Sequence, residues 1–124
     1  VIRGIGIDVV QVSRMRHWLD DEGLLSRYFH PRELTFALSR GYSSVLSLAA
    51  RFAAKEAFGK AIGTGLREFS LKEVEVENDE MGKPELVLHG AAAEALSSVG
   101  GVRVFVSLTH EEDHAIAMIV IEGE

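Results

Sequence analysis

"ARFAAKEAFGKAIGTG" runs from Ala50 to Gly65, and its reading decides the fold. So much alanine with two phenylalanines predicts a buried helix, ended by Gly63-Thr64-Gly65. Residues three and four apart share a helix face, which stacks Phe52, Glu56 and Lys60 and sets Arg51 below Lys55. Ala49, Ala53, Ala57 and Ala61 form a second stripe, small enough for tight packing. A carboxylate and two ammonium groups so close together in so apolar a helix need a reason. An exposed Glu56–Lys60 pair is worth only about 0.3–0.5 kcal/mol and is the plain reading. Against it, Glu56 follows an apolar turn, where a carboxylate takes a cationic partner or a metal. Gly59 also removes bulk beside Lys60, at about 1 kcal/mol relative to alanine. The expectation is that the lysines and the glutamate serve one face, which something approaches closely.

Upstream, Ile2 to Val12 reads as a strand. Ile5, Ile7 and Val9 point one way, and Gly4, Gly6 and Asp8 the other. Strand glycines weaken pairing unless something approaches closely, so Asp8 ends a face stripped of bulk. Ser13 is the expected cap of a helix through Arg14, Met15, Trp18 and Leu19, broken near Asp20-Asp21-Glu22-Gly23. A short piece with Leu24, Leu25, Tyr28 and Phe29 follows. Pro31 then opens a helix that stops near Gly41, and Ser43 or Ser44 caps the long helix.

Downstream, the period switches to two. "SLKEVEVEN" and "LVLH" read as strands around the turn "DEMGKPE". Ala91 to Val99 reads as a helix closed by Gly100-Gly101, and Val102–Leu108 and Ala115–Glu122 as strands joined by "THEEDH". The order β-ααα-ββ-α-ββ implies an α+β fold, a largely antiparallel sheet packed against a long helix.

The 124 residues suit one domain spanning 1–124, and 47% hydrophobic content is too high for disorder. A net charge of −6 argues against nucleic acid as a partner. Without cysteine there is no disulfide framework, thiolate zinc site or cysteine nucleophile. No apolar run reaches the roughly 18 residues that span a bilayer. Val1-Ile2-Arg3 lacks the layout of a signal peptide, so no membrane association and a cytoplasmic location are expected.

An Asp on a glycine face, meeting a helical Glu, suits a hard cation. With oxygen donors and no histidine pair at helical ligand spacing, Mg²⁺ is favoured over zinc for Asp8 and Glu56. His17, His30, His89 and His114 show no constellation and read as surface or half-buried. Glu111, Glu112 and Asp113 read as solvated acids, and Phe52 and Phe58 as core.

"GIGIDVVQVSRM" (Gly4–Met15), the long helix, "GKP" (Gly82–Pro84) and "VSLTH" (Val106–His110), in this order across almost the whole chain, resemble the holo-[acyl-carrier-protein] synthases. These are the small homotrimeric class of 4'-phosphopantetheinyl transferases. The resemblance implies their fold and a Mg²⁺-dependent enzyme of fatty acid biosynthesis. Such an enzyme moves the phosphopantetheine arm of coenzyme A onto a serine of apo-acyl carrier protein, releasing adenosine 3',5'-bisphosphate. It implies Asp8 and Glu56 as metal ligands, and Glu56 and Lys60 as catalytic, with Lys60 near the pyrophosphate. Arg51, Lys60, Gly82, Lys83, Pro84, Ser107, Thr109 and His110 match coenzyme A positions. Arg14, Met15, Trp18 and Arg27 match the carrier-docking region, here interrupted by Asp20-Asp21-Glu22. Homotrimerisation with sites at subunit interfaces is implied as well.

The chemistry asks for positioning and charge neutralisation, which two carboxylates, a metal and a lysine one turn away can meet. The base stays open between Glu56, acting through water, and His110, whose matched role is phosphate contact. Two rivals remain at this point: a metal-dependent phosphoesterase using water in place of serine, and a non-catalytic module binding a carrier or an anion.

Overall fold

Two bare positions on the first strand set the architecture. In the computed structural model, which describes residues 1–64 and 68–124, β1 (Ile2–Gln11) lies directly on α3 (Ser44–Ile62). A Cβ at Gly4 would collide with the carbonyl oxygen of Ala61, and one at Gly6 with that of Ala57. The close approach expected of the glycine face is therefore the long helix itself, whose alanine stripe meets the strand backbone. Gly63, with φ 95°, ends α3 as a left-handed cap, its N–H donating to the Gly59 carbonyl at 3.1 Å. Gly65, the last residue of the expected stop, lies outside the described residues. Ser43 occupies the position before α3, but its side chain makes no capping bond.

β1 pairs antiparallel with β5 (His114–Gly123), and β5 with β4 (Gly101–Glu111), in the order β1-β5-β4. The inner face carries Ala115, Ala117, Ile119 and Ile121, all buried. On the outer face, Ile5, Val120 and Phe105 form one cross-strand row and Ile7, Met118 and Ser107 the next. Ile5, Ile7 and Val9 are 55–57% exposed there, a contiguous apolar surface that none of the described residues covers. The β4–β5 strands run further than expected. Pairing continues through Glu111 and His114, which leaves only Glu112 and Asp113 as the turn, Glu112 at φ 51°.

β2 (Val74–Asn78) and β3 (Pro84–Leu88) form a separate antiparallel pair, so the strands make two sheets. α4 (Gly90–Ser98) follows β3. Between β1 and α3 lie a 3-10 helix (Val12–Asp20), α1 (Glu22–Tyr28) and α2 (Pro31–Leu38). The expected cap at Ser13 is corrected: the strand runs straight into the 3-10 helix, and Ser13 lies inside it. Its hydroxyl donates to Asp113 Oδ2 at 2.6 Å and its N–H to Oδ1 at 3.0 Å, so the β4–β5 turn supplies the acceptor. Asp21, from the expected break, caps α1 by accepting from the Leu24 N–H at 3.0 Å.

α3 runs through two hydrophobic cores. One joins it to both sheets and α4 through Phe58, Val74, Val76, Ala92 and Ile119; the other joins it to the preceding helices through Met15, Leu25, Phe29 and Leu48. A helix covered on nearly every side has no single apolar stripe, which is why its charged residues stand out.

Candidate active site

Past Gly6, β1 carries Asp8 out from under α3. Lys60, in the last turn of the helix, donates from Nζ to Asp8 Oδ1 at 2.9 Å and to the Ile7 carbonyl at 3.1 Å. Thus Lys60 pairs across to the strand, and the plain reading of a Glu56–Lys60 ion pair does not hold among the described residues. Glu56 and Asp8 face one cavity of about 270 Å³, whose wall also includes Arg14, Met15, Trp18 and Phe52. Burial, and then the Asp8 charge, push the Glu56 carboxyl up, against the pull of Lys60. Two carboxylates on a shared cavity, the charge of Asp8 raising Glu56, fit a hard divalent cation.

Met15 and Trp18 are held from behind. Met15 is buried, and the Trp18 ring lies 5.3–6.2 Å from those of Phe52, Tyr28 and Phe29. Arg14 is exposed at the cavity rim. Arg27, also exposed, lies on α1 with its guanidinium 6.0 Å from the Tyr28 ring centre and does not line this cavity.

A second cavity, of about 570 Å³, gathers Arg51, Gly82, Pro84 and His110. Arg51 is only 4% exposed. It donates to Ser47 Oγ at 2.8 Å and Asn78 Oδ1 at 2.7 Å, with its guanidinium 4.7 Å from the centre of the Phe36 ring. Its Nε has no hydrogen-bond partner among the described residues, and burial pushes its pKa down while Glu33 pulls it up. A buried, incompletely satisfied guanidinium on a cavity wall is suited to an anion. Asn78 also donates to the Gly82 carbonyl at 3.0 Å, tying the helix to the Gly82 turn, where φ is 85°. Arg40 lines this cavity too and was not singled out from the sequence. Lys83 instead lines a gap of about 500 Å³ between β3 and β4. Ser107 and Thr109 are exposed on the outer sheet face, opposite Met118 and Ile116.

Lys55 corrects the expectation that every charge of the helix serves one face. It is fully buried on another side of α3, where Nζ donates to Glu33 Oε1 at 2.6 Å, to the Leu71 carbonyl at 3.0 Å and to the Val74 carbonyl. All three ammonium donors are thereby used. Glu33 is equally engaged, accepting from the His30 N–H and the Val76 N–H, both at 2.9 Å. Burial pushes the Lys55 ammonium down and Glu33 holds it up.

The structure also revises the reading of His30 and His89 as residues without a constellation. Both face Glu75, with His89 Nε2 2.9 Å and His30 Nε2 3.9 Å from Oε1, and their rings stack at 5.0 Å. Arg32 donates to both Glu75 oxygens, at 2.8 and 2.9 Å. Its bonds, opposed by burial and helped by His89, hold the Glu75 carboxyl at about 2. The one local signal was Glu33 three residues after His30, a capping-box spacing that fixes His30 at the start of α2.

Residues 4–119 match the family model of the 4'-phosphopantetheinyl transferase superfamily. The holo-[acyl-carrier-protein] synthase of Treponema denticola is 51% identical over 99% of this chain and 100% of its own length. The crystal structure of holo-[acyl-carrier-protein] synthase from Neisseria meningitidis superposes with a TM-score of 0.87 at 38% identity, covering 98% of this chain and 99% of that one. The Bacillus anthracis synthase, in complex with CoA (3',5'-ADP), gives 0.82 at 34% identity over 99% and 98% of the two chains.

Proposed function

This chain belongs to the holo-[acyl-carrier-protein] synthases of the 4'-phosphopantetheinyl transferase superfamily, and from that premise we propose how its residues divide the reaction. Asp8 and Glu56 hold Mg²⁺, coenzyme A spans the two cavities, and an acyl carrier protein docks beside Arg14, Met15, Trp18 and Arg27. The observation that carries this reading is that Asp8 and Glu56, remote in sequence, face one cavity with Lys60 on its edge.

The serine hydroxyl of the carrier attacks the β-phosphorus of the coenzyme. A new oxygen–phosphorus bond forms, the bridging pyrophosphate bond breaks, and adenosine 3',5'-bisphosphate leaves. Mg²⁺, when bound, neutralises charge on the phosphoryl oxygens. Lys60, 55% exposed, can swing from Asp8 towards the pyrophosphate while keeping its charge. Arg51 and His110 receive the 3'-phosphate end, beside the turn of Gly82, Lys83 and Pro84. Glu56 is favoured as the base, acting through water, because its carboxyl is pushed towards useful basicity and His110 lines the other cavity.

The outer sheet face supports a homotrimer with sites between subunits. Ile5, Ile7, Val9, Phe105 and Met118 present the apolar surface that an assembly covers. Within such an assembly, Ser107 and Thr109, on that same face, reach a neighbour's coenzyme. Residues 1–124 act as one domain, in the cytoplasm, supplying holo-carrier for fatty acid biosynthesis. No helix among the described residues is long and apolar enough to cross a membrane.

The test is the intact mass of an apo-acyl carrier protein after incubation with the chain, coenzyme A and Mg²⁺. Gain of one phosphopantetheine is expected, and its loss in a folded Asp8→Asn variant. Coenzyme cleavage with an unmodified carrier overturns the transferase reading, and undiminished transfer by Asp8→Asn overturns the metal assignment.

A further inference from the structure

We propose that His30, Glu75 and His89 form a second metal site, selective for a borderline transition cation of the zinc class and separate from the Asp8–Glu56 site. One ligand atom from each residue lies within 4.8 Å of the other two. The donors are two imidazole nitrogens and one carboxylate oxygen, a set that suits zinc, cobalt or nickel better than magnesium. Three segments contribute: the residue capping α2, the second residue of β2 and the residue before α4. Glu75 is 1% exposed, and the side chains of His30 and His89 are 23% and 37% exposed. A cation seated on the three therefore keeps an open side towards solvent. Ligand bonds of about 2.0–2.2 Å place donor atoms roughly 3.3 Å apart in a tetrahedral set. The observed separations of 2.9 and 3.9 Å from Glu75 Oε1 bracket that value.

Binding requires three exchanges. His89 Nε2 donates to Glu75 Oε1 at 2.9 Å, so its proton moves to Nδ1 before Nε2 can become a ligand. Arg32 Nη2 gives up Glu75 Oε1, while Arg32 Nε keeps Oε2. His30 Nδ1 now accepts from the Arg32 N–H at 3.1 Å, which leaves the proton of the neutral ring on Nε2. For Nε2 to become a ligand, that proton moves to Nδ1 and the bond to the Arg32 N–H is lost. Arg32, 64% exposed, is thus a built-in competitor for the carboxylate. The site rests on none of the assignments made for the transfer reaction.

The experiment titrates the full chain with Co²⁺ in excess Mg²⁺, following visible absorption and heat, with Zn²⁺ as competitor. One Co²⁺ per chain is expected, with the strong absorption of a four-coordinate ion, displaced by one equivalent of Zn²⁺. His89→Ala, which remains folded by circular dichroism, weakens binding by about 100-fold or more, beyond the loss expected for an outer-shell partner. Arg32→Gln tightens it by about tenfold, the order of one charge-assisted hydrogen bond. Asp8→Asn leaves it unchanged. Absence of Co²⁺ binding, binding indifferent to His89→Ala, no tightening in Arg32→Gln, or loss in Asp8→Asn each overturns the proposal.

Discussion

Lys55 and Lys60 sit little more than a turn apart on α3 and do opposite work. Lys55 is wholly enclosed, its three donors matched by Glu33 and two backbone carbonyls. Lys60 is 55% exposed and leans on Asp8 and one carbonyl. The first arrangement has no spare valence for a ligand and welds the helix to α2 and to the entry of β2. The second has an ammonium in reach of solvent, beside a half-buried carboxylate that Asp8 repels. In the proposed reaction the incompletely satisfied charges carry the chemistry, while the satisfied ones hold position.

The sharpest way to break this contrast is Lys55→Met. Glu33 is then left buried without its cation, at a cost of about 3–5 kcal/mol, enough to unfold much of a marginally stable domain. Denaturant titration checks it. Adding Glu33→Leu should restore only part of the loss, since it removes the buried anion but leaves the Val76 N–H and the Leu71 and Val74 carbonyls without their partners. Gly6→Ala ranks next. The added methyl meets the Ala57 carbonyl, and forcing strand from helix costs about 1–3 kcal/mol. Transfer activity should fall with it, because Asp8 follows two residues later.

Lys60→Ala reverses the emphasis. Stability should change by no more than about 1 kcal/mol, as for an exposed ion pair, while turnover falls about 10²–10³-fold, measured by carrier mass shift. Asp113 gives the smallest effect. Its carboxylate is stabilised first by the Ser13 hydroxyl, which lowers its pKa in the folded state. The unfolded chain therefore takes up the proton first on acidification. The contribution is complete above the ordinary Asp value of about 3.9 and fades as pH falls through the depressed folded value. Thermal midpoints measured against pH should lose that small acid slope in Asp113→Asn.

Much of this was legible in sequence because it is local. The glycine alternation of β1, the alanine stripe of α3 and the stop at Gly63 are short patterns, and strand meets helix where those patterns place them. The cavity shared by Asp8 and Glu56 follows from that one contact. What stayed hidden depends on distant segments. Nothing near Lys55 announces Glu33, and Glu75 alternates with valines as a solvent-facing strand residue would, yet α2 and its arginine cover it. Histidine spacing could not reveal His30 and His89, which meet only when the β2–β3 pair folds against α2. Ser13 looked like a cap because its partner, Asp113, lies at the opposite end of the chain. Alternation separated the two faces of β1 without saying which lies inward; the bare face does, and the isoleucines point out.

The seam between β1 and α3 has no cushion of side chains. Where most helices ride on a compressible layer of leucine and valine, here peptide rests almost on peptide. The gauge between the strand bearing Asp8 and the helix bearing Glu56 is therefore as stiff as the chain itself. Variation can redecorate the pocket's walls, but it has little means of changing the pocket's width.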